Sequence, residues 1–160
     1  AILLLVILGC GSAKTGFEPR QVSSTSDCPK QANCTIELHA NKSMVLKNDN
    51  FGWHYTLAEA TGKSVVVYKY NKIVKGNLQD ASYREEIVFE YDGKKDFTLT
   101  DNQLQDTKML FGRFCYCKGQ TGYYPIKQGQ LSIDGSGHAN LQFKIDEVPQ
   151  IVKQIQFDLR

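Results

Sequence analysis

Apolar and polar residues alternate along much of this sequence, and few folds fit that pattern. In residues 87–91, the apolar side chains Ile87, Phe89 and Tyr91 fall on one side of an extended chain. The same period of two recurs in three later segments: 131–133, 141–145 and 155–159. Side chains alternate between the two faces of a β-strand, whereas a helical face repeats every 3.6 residues. The pattern therefore predicts strands.

Short turn signals separate the alternating segments. They lie at Asn48–Asn50, Thr61–Gly62, Asp92–Gly93 and Asp134–Gly137. Asp-Gly between alternating apolar segments favours a hairpin. Only residues 101–106 and 147–153 suit a short helical turn. We therefore expect an all-β domain of about eight or nine antiparallel strands, arranged as a sandwich or a barrel.

The first ten residues, AILLLVILGC, form an uncharged apolar segment that ends in Gly9 and Cys10. Its apolar run is too short for a membrane-spanning helix, which needs about 20 residues, but it suits the core of a secretory signal. With Ile7, Gly9 and Cys10 in place, the segment resembles the end of a bacterial lipoprotein signal peptide. We therefore interpret residues 1–9 as a truncated signal peptide whose basic residues lie upstream. The alternative is a buried N-terminal strand.

This resemblance implies that Cys10 carries a diacylglycerol thioether and an acylated amine, with palmitate as a typical acyl chain. More than one acyl chain gives stable membrane anchoring. Residues 10–27 would then be the lipidated cysteine and a flexible polar tether, and residues 28–160 a single β-domain. The whole chain resembles small envelope lipoproteins of Gram-negative bacteria, so the bacterial cell envelope, and its outer membrane, is the expected location. The sequons at Asn33 and Asn41 favour a secreted protein as the alternative.

Four further cysteines suggest disulfides, because an even number is typical of an oxidising compartment. They are Cys28, Cys34, Cys115 and Cys117. Cys115 and Cys117 project from the same face of an extended segment, and a bond between them would bend the strand. We therefore expect each to be linked to Cys28 or Cys34, in an order that the sequence leaves open. A local Cys28–Cys34 loop with two free thiols is the alternative, and a redox or Cu(I) site at Cys115 and Cys117 is a further one.

Several function classes lack support in the sequence. The chain has 19 basic and 17 acidic residues, a net charge of +2, so no strong field favours nucleic acid. It has no phosphate-binding loop, no His-Glu-x-x-His and no Gly-x-Ser-x-Gly motif. The three histidines His39, His54 and His138 lie far apart in the sequence. We therefore expect neither an enzyme nor a bound cofactor or metal.

One segment is rich in acidic residues, and these are interleaved with apolar residues or lysines. They are Glu85, Glu86, Glu90, Asp92 and Asp96. We interpret them as the solvated face of a strand and the turn that follows it.

Paired tyrosines mark a candidate recognition loop directly after the Cys-x-Cys segment. Tyr123 and Tyr124 are flanked by glycines, a proline and the basic residues Lys118 and Lys127. Aromatic rings on a rigid loop lose little entropy on binding, which suits such a loop to recognition. In the alternative interpretation, residues 118–129 form a hairpin whose tyrosines pack over the sandwich edge.

Trp53 is the second candidate. Gly52–Trp53 is similar to the Gly-x-Trp motif of lipocalins, offset by one residue, and that resemblance implies a tryptophan at the floor of a barrel. The alternative is a core anchor with Tyr55 on the same face.

Together these features predict a lipid-anchored binding or structural module for an unknown protein, glycan or small molecule. A module of this kind should expose an aromatic patch at Tyr123 and Tyr124. The alternatives are a calycin-like carrier, which should enclose an apolar cavity, and a redox or metal protein.

Overall fold

The structure is a computed structural model that describes residues 19–24, 26, 28–76 and 80–159. Within these residues the chain forms ten β-strands in two antiparallel sheets, together with one 3₁₀ helix. The prediction of an all-β antiparallel fold, a sandwich or a barrel, is confirmed, with ten strands where about eight or nine were expected.

The first sheet contains six strands in the spatial order β1-β2-β3-β4-β6-β7. They are β1 (Arg20–Gln21), β2 (Ala32–Asp49), β3 (Gly52–Lys72), β4 (Tyr83–Tyr91), β6 (Leu110–Cys115) and β7 (Gly122–Pro125). A direct pair between Trp53 of β3 and Tyr123 of β7 joins the third strand of this order to the last one. Strands β3, β4, β6 and β7 are thereby closed into a small barrel.

The second sheet contains four strands in the order β10-β9-β8-β5. They are β5 (Phe97–Thr100), β8 (Gly129–Ile133), β9 (His138–Phe143) and β10 (Gln154–Asp158). The predicted hairpin at Asp134–Gly137 joins β8 to β9, and the predicted helical turn is the 3₁₀ helix Asp101–Thr107. Residues 147–153 are irregular, with bends at 147, 148 and 151, instead of forming the expected helical turn. Pro149 contributes no N–H there, and the N–H groups of Ile151 and Val152 bind the Glu85 carboxylate.

The long β2–β3 hairpin is bent near its middle. The register shifts between Ala40 and Lys42, Asn41 and Gly62 have φ values of 55° and 79°, and the Gly62 N–H donates to Asn41 Oδ1 over 3.3 Å. Such positive φ values interrupt regular pleating and increase local twist. The expected turn at Thr61–Gly62 is therefore wrong, because β3 continues through Gly62 and bends there.

This bend gives the domain two apolar cores. The larger core lies between the sheets and includes Val66, Phe89 and Phe157. The smaller core lies inside the barrel and consists of Met44, Val65, Val67, Val88 and Leu110. Alternate residues of β3 enter different cores, since strand side chains point to opposite faces in turn.

The interpretation of the acidic segment as solvated is wrong for its three glutamates. Glu85 is 0% exposed, Glu86 3% and Glu90 9%, whereas Asp92 and Asp96 are exposed as expected. The physical reason is the position of β4, which lies between β3 and β6 and is covered on both faces. Each buried carboxylate is compensated by hydrogen-bond donors, as burial of a charge requires.

The prediction of a flexible tether over residues 10–27 is wrong for its later part. Arg20 and Gln21 pair with β2, Val22 is buried in the main core, and Ser24 forms a bridge to Phe157 of β10. These contacts tie the segment to both sheets. Cys10 and the expected signal peptide at residues 1–9 lie outside the described residues.

The cysteines pair locally instead of across the domain. Cys28 is bonded to Cys34, with Cα atoms 5.7 Å apart, and Cys115 to Cys117, with Cα atoms 5.2 Å apart. The expected cross-links between the two pairs are therefore wrong. Strand β6 ends at Cys115 and the chain bends at Tyr116, so the second pair lies where the extended conformation stops.

Across the described part of the chain, no helix has the length and apolar character needed to span a bilayer.

Candidate functional site: a cleft between the two sheets

A cleft of about 390 Å³ opens between the sheets, where β4 ends in the first sheet and β5 begins in the second. Residues 92–96 make this crossing, and the 3₁₀ helix borders the cleft with Asp106 and Thr107. The volume lies within the range typical of small-molecule sites, about 300–1,000 Å³.

Apolar side chains form the floor of the cleft. They are Phe89, Phe97, Leu99, Leu131 and Ile133. The antiparallel register pairs Phe97 with Ile133 and Leu99 with Leu131, so four of these side chains share one face of the second sheet. Phe89 closes the floor from the opposite sheet and is fully buried.

Charged side chains form the rim. They are Lys63, Glu90, Asp92, Lys94 and Asp106. Lys94 pairs with Asp92 over 3.0 Å and Lys63 with Glu90 over 3.3 Å. The lining has two cations and three anions, and Lys108, which binds Glu90 from outside the lining, offsets the third anion. The rim therefore has no large net charge.

Glu90 is the best-connected carboxylate of the rim. Its Oε1 accepts hydrogen bonds from Lys108 Nζ at 2.6 Å, the Met44 N–H at 2.7 Å and the Ser43 hydroxyl. Burial alone raises the pKa of Glu90, but these hydrogen bonds outweigh burial and lower the pKa to about 2. Glu90 is therefore ionised at neutral pH and joins β2, β4 and the end of the 3₁₀ helix at Lys108.

A second polar cluster lies inside the barrel. Glu86 Oε1 accepts hydrogen bonds from the Tyr55 hydroxyl at 2.9 Å and the Tyr123 hydroxyl at 2.7 Å. The two rings meet edge to face, with centroids 5.4 Å apart. Burial and the Glu86 charge raise the pKa of both tyrosines above its usual value, so both phenols stay protonated. Because the three residues come from β3, β4 and β7, the cluster braces the closure of the barrel.

The predicted recognition residues lie apart from the cleft. Tyr123 enters the barrel core and Tyr124 packs against the main core, since neighbouring strand residues point to opposite faces. The expectation of an exposed aromatic patch at these tyrosines is therefore wrong. Trp53 is half-buried beside Tyr123, whereas Lys118 and Lys127 are exposed. A partner contact at these two lysines stays a prediction.

Sequence reasoning missed the residues of the rim. Glu90 was assigned to solvent, and Lys63 and Lys94 carry no recognisable motif. One available signal was the cluster of charges around the Asp92–Gly93 turn, next to an apolar strand.

Within the described ranges, no three His, Cys, Asp or Glu side chains are grouped so that they could hold a metal ion. Compared with protein-family models, with curated proteins and with solved structures, the chain matches none of them. The resemblances to lipoprotein signals and to lipocalins therefore stay predictions.

Proposed function

We propose that this protein is an envelope lipoprotein whose β-domain binds a small, mostly apolar molecule in the cleft between its sheets. The observation that carries the proposal is a cleft with an apolar floor, in which Phe97 and Leu99 are partly exposed, beneath a rim of charged side chains. Small-molecule sites are typically lined in this way, by apolar surface with a few polar groups that fix the ligand's orientation.

The cleft also indicates the kind of ligand. Its five apolar floor residues favour a compact hydrocarbon or aromatic body. The balanced charges of the rim favour an uncharged polar group at the outer end of that body, because a net-charged group would gain little from the surrounding field.

This proposal combines the expected binding module with its alternative, a small-ligand carrier. The barrel itself offers no room for a ligand, because its interior holds a packed apolar core. A Cβ atom added at Gly112 would lie only 2.7 Å from the rings of Phe114 and Tyr123. The described strands therefore differ from the eight-stranded ligand-binding barrel of a lipocalin.

The lipid anchor is supported by the apolar run that ends in Gly9 and Cys10. It is tested by intact-mass measurement on the chain expressed behind a complete signal peptide in a bacterial host. We expect a mass gain of a diacylglyceryl group and an acyl chain that Cys10→Ser abolishes. An unmodified Cys10 would contradict the anchor while leaving the cleft untouched.

Ligand binding is tested with the neutral fluorescent probe N-phenyl-1-naphthylamine. Leu99→Trp places a larger ring in the floor of the cleft, and Thr98→Trp is the matched control, since the neighbouring side chain points to the other face of β5. Circular dichroism checks that both variants are folded.

We expect the wild type and Thr98→Trp to bind the probe equally, and Leu99→Trp to bind it at least about tenfold more weakly, as expected when a ligand loses its apolar contacts. Absence of probe binding by the wild type, or equal binding by both variants, would refute the proposed site.

A further inference from the structure

Arg84 is a charged side chain that stacks on an aromatic ring and has no hydrogen-bond acceptor among the described residues. Its guanidinium carbon lies 4.2 Å from the centre of the Phe114 ring, and its Nε is buried without a hydrogen-bond partner. Among the described residues, no carboxylate, carbonyl or hydroxyl oxygen accepts a hydrogen bond from this guanidinium. Buried donors are paired in most structures, so an arginine that the described residues leave without an acceptor is suited to one from outside them.

Arg84 and Phe114 both line a second, open cleft of about 620 Å³. Asn71, Tyr116 and Thr121 contribute to the same wall. Tyr116 is 82% exposed, and it lies between the two cysteines of the Cys115–Cys117 disulfide. This bond restricts the backbone on both sides of the ring, so the aromatic surface is presented to solvent at low entropic cost.

The second cleft is distinct from the first. Arg84 lies near the start of β4 and Glu90 near its end. At about 3.3 Å per residue, six residues of strand place the two sites about 20 Å apart.

The charge around the second cleft is positive by one. Arg84 and Lys72 are opposed by Asp80 alone among the lining residues. Glu86 lies on the same face of β4 as Arg84, but its carboxylate binds the hydroxyls of Tyr55 and Tyr123. A single excess positive charge suits a monoanion better than a dianion.

We infer that this cleft is a binding site for a monoanionic carboxylate carried on a flat ring. The two terminal Nη groups of the guanidinium, which unlike Nε are not buried, can donate two parallel hydrogen bonds to a carboxylate, a geometry that lysine does not provide. The exposed Tyr116 ring covers the flat face of the ligand, since aromatic rings favour stacked or edge-to-face contact.

Sodium benzoate is the probe, followed by NMR through the Nε–H resonance of Arg84 in the full chain. Benzamide, which is neutral and has nearly the same shape, and inorganic phosphate are titrated under the same conditions. The variants are Arg84→Gln, Arg84→Lys and Tyr116→Ala. Lys95→Gln, which removes an exposed charge outside this cleft, is the control for net charge.

We expect benzoate to shift the Arg84 resonance and benzamide to leave it in place. Arg84→Gln and Arg84→Lys should each weaken benzoate binding at least about tenfold, Tyr116→Ala about threefold or more, and Lys95→Gln less than twofold. Tyr116→Ala keeps the test valid if Arg84 proves necessary for folding, because its ring is exposed. Equal binding of benzamide, tighter binding of phosphate, or unchanged benzoate affinity in the folded Arg84 or Tyr116 variants would overturn the inference.

Discussion

Replacing Glu90 with glutamine tests whether the carboxylate network at the rim stabilises the fold. In the folded protein the pKa of Glu90 falls from its ordinary value of 4.5 to about 2 because Lys108, Ser43 and the Met44 N–H bind the ionised form. Each tenfold change in proton affinity corresponds to about 1.4 kcal/mol. A pKa that falls from 4.5 to about 2 corresponds to about 3.5 kcal/mol, so Glu90→Gln should lower the free energy of unfolding at pH 7 by about 3–4 kcal/mol, a large share of a typical domain's stability.

The same shift fixes how the stability should depend on pH. Because the pKa is lower in the folded state, the unfolded chain binds more protons than the folded chain between pH 4.5 and about 2. The contribution of Glu90 is thus present above pH 4.5 and is lost as the pH falls towards 2. The free energy of unfolding of Glu90→Gln should not show this part of the decline with falling pH.

The assay is urea unfolding at pH 7, 4.5, 3 and 2, followed by the fluorescence of Trp53, the single tryptophan of the chain. Glu59→Gln is the matched control, since the Glu59 side chain is 79% exposed in its pair with Lys42. An exposed ion pair contributes little to stability, so the free energy of unfolding of this control should stay within about 0.5 kcal/mol of the wild-type value. The reasoning is refuted if the free energy of unfolding of Glu90→Gln equals that of Glu59→Gln at pH 7 and falls in acid as steeply as that of the wild type.

Three further predictions concern the barrel and the disulfides. Gly112→Ala should lower the free energy of unfolding, measured in urea, by about 1–3 kcal/mol, because its Cβ would lie 2.7 Å from two aromatic rings. An unchanged urea midpoint would show that the two rings move aside freely. Tyr123→Phe removes one of the two hydroxyl groups that donate to buried Glu86, so it should lower the free energy of unfolding by about 1–3 kcal/mol in the same assay. An unchanged free energy of unfolding would mean that water replaces the hydroxyl. Peptide mapping without reduction should recover the local pairs Cys28–Cys34 and Cys115–Cys117, and a peptide joining the two pairs would contradict this pairing.

Features that depend on local sequence were predictable. The alternation in residues 87–91 places Ile87 and Phe89 in the main core, and the Asp134–Gly137 signal forms the predicted hairpin. These features are local because strand period and turn chemistry depend on residues within a few positions of each other.

Features that depend on tertiary closure were not predictable. The polar face of β4 would be solvated in an open sheet, but the barrel and the hairpin bend cover it and bury Glu86 and Glu90. The pairing of Trp53 with Tyr123 joins residues that are distant in the sequence, and no local pattern indicates it. The rim of the cleft was missed for the same reason, since its residues come from β3, β4, the turn after β4 and the 3₁₀ helix.

The segment between Arg20 and Ser26 also affects how the protein meets other copies of itself. It pairs with β2 at an edge of the first sheet, and it binds β10 at an edge of the second through Ser23, Ser24 and Ser26. An open strand edge presents N–H and C=O groups on which another chain can add a strand. This short segment therefore shields part of one edge on each sheet. Proteolytic trimming before Cys28 would remove Val22 from the main core and open these two edges, so it is expected to promote aggregation by strand addition.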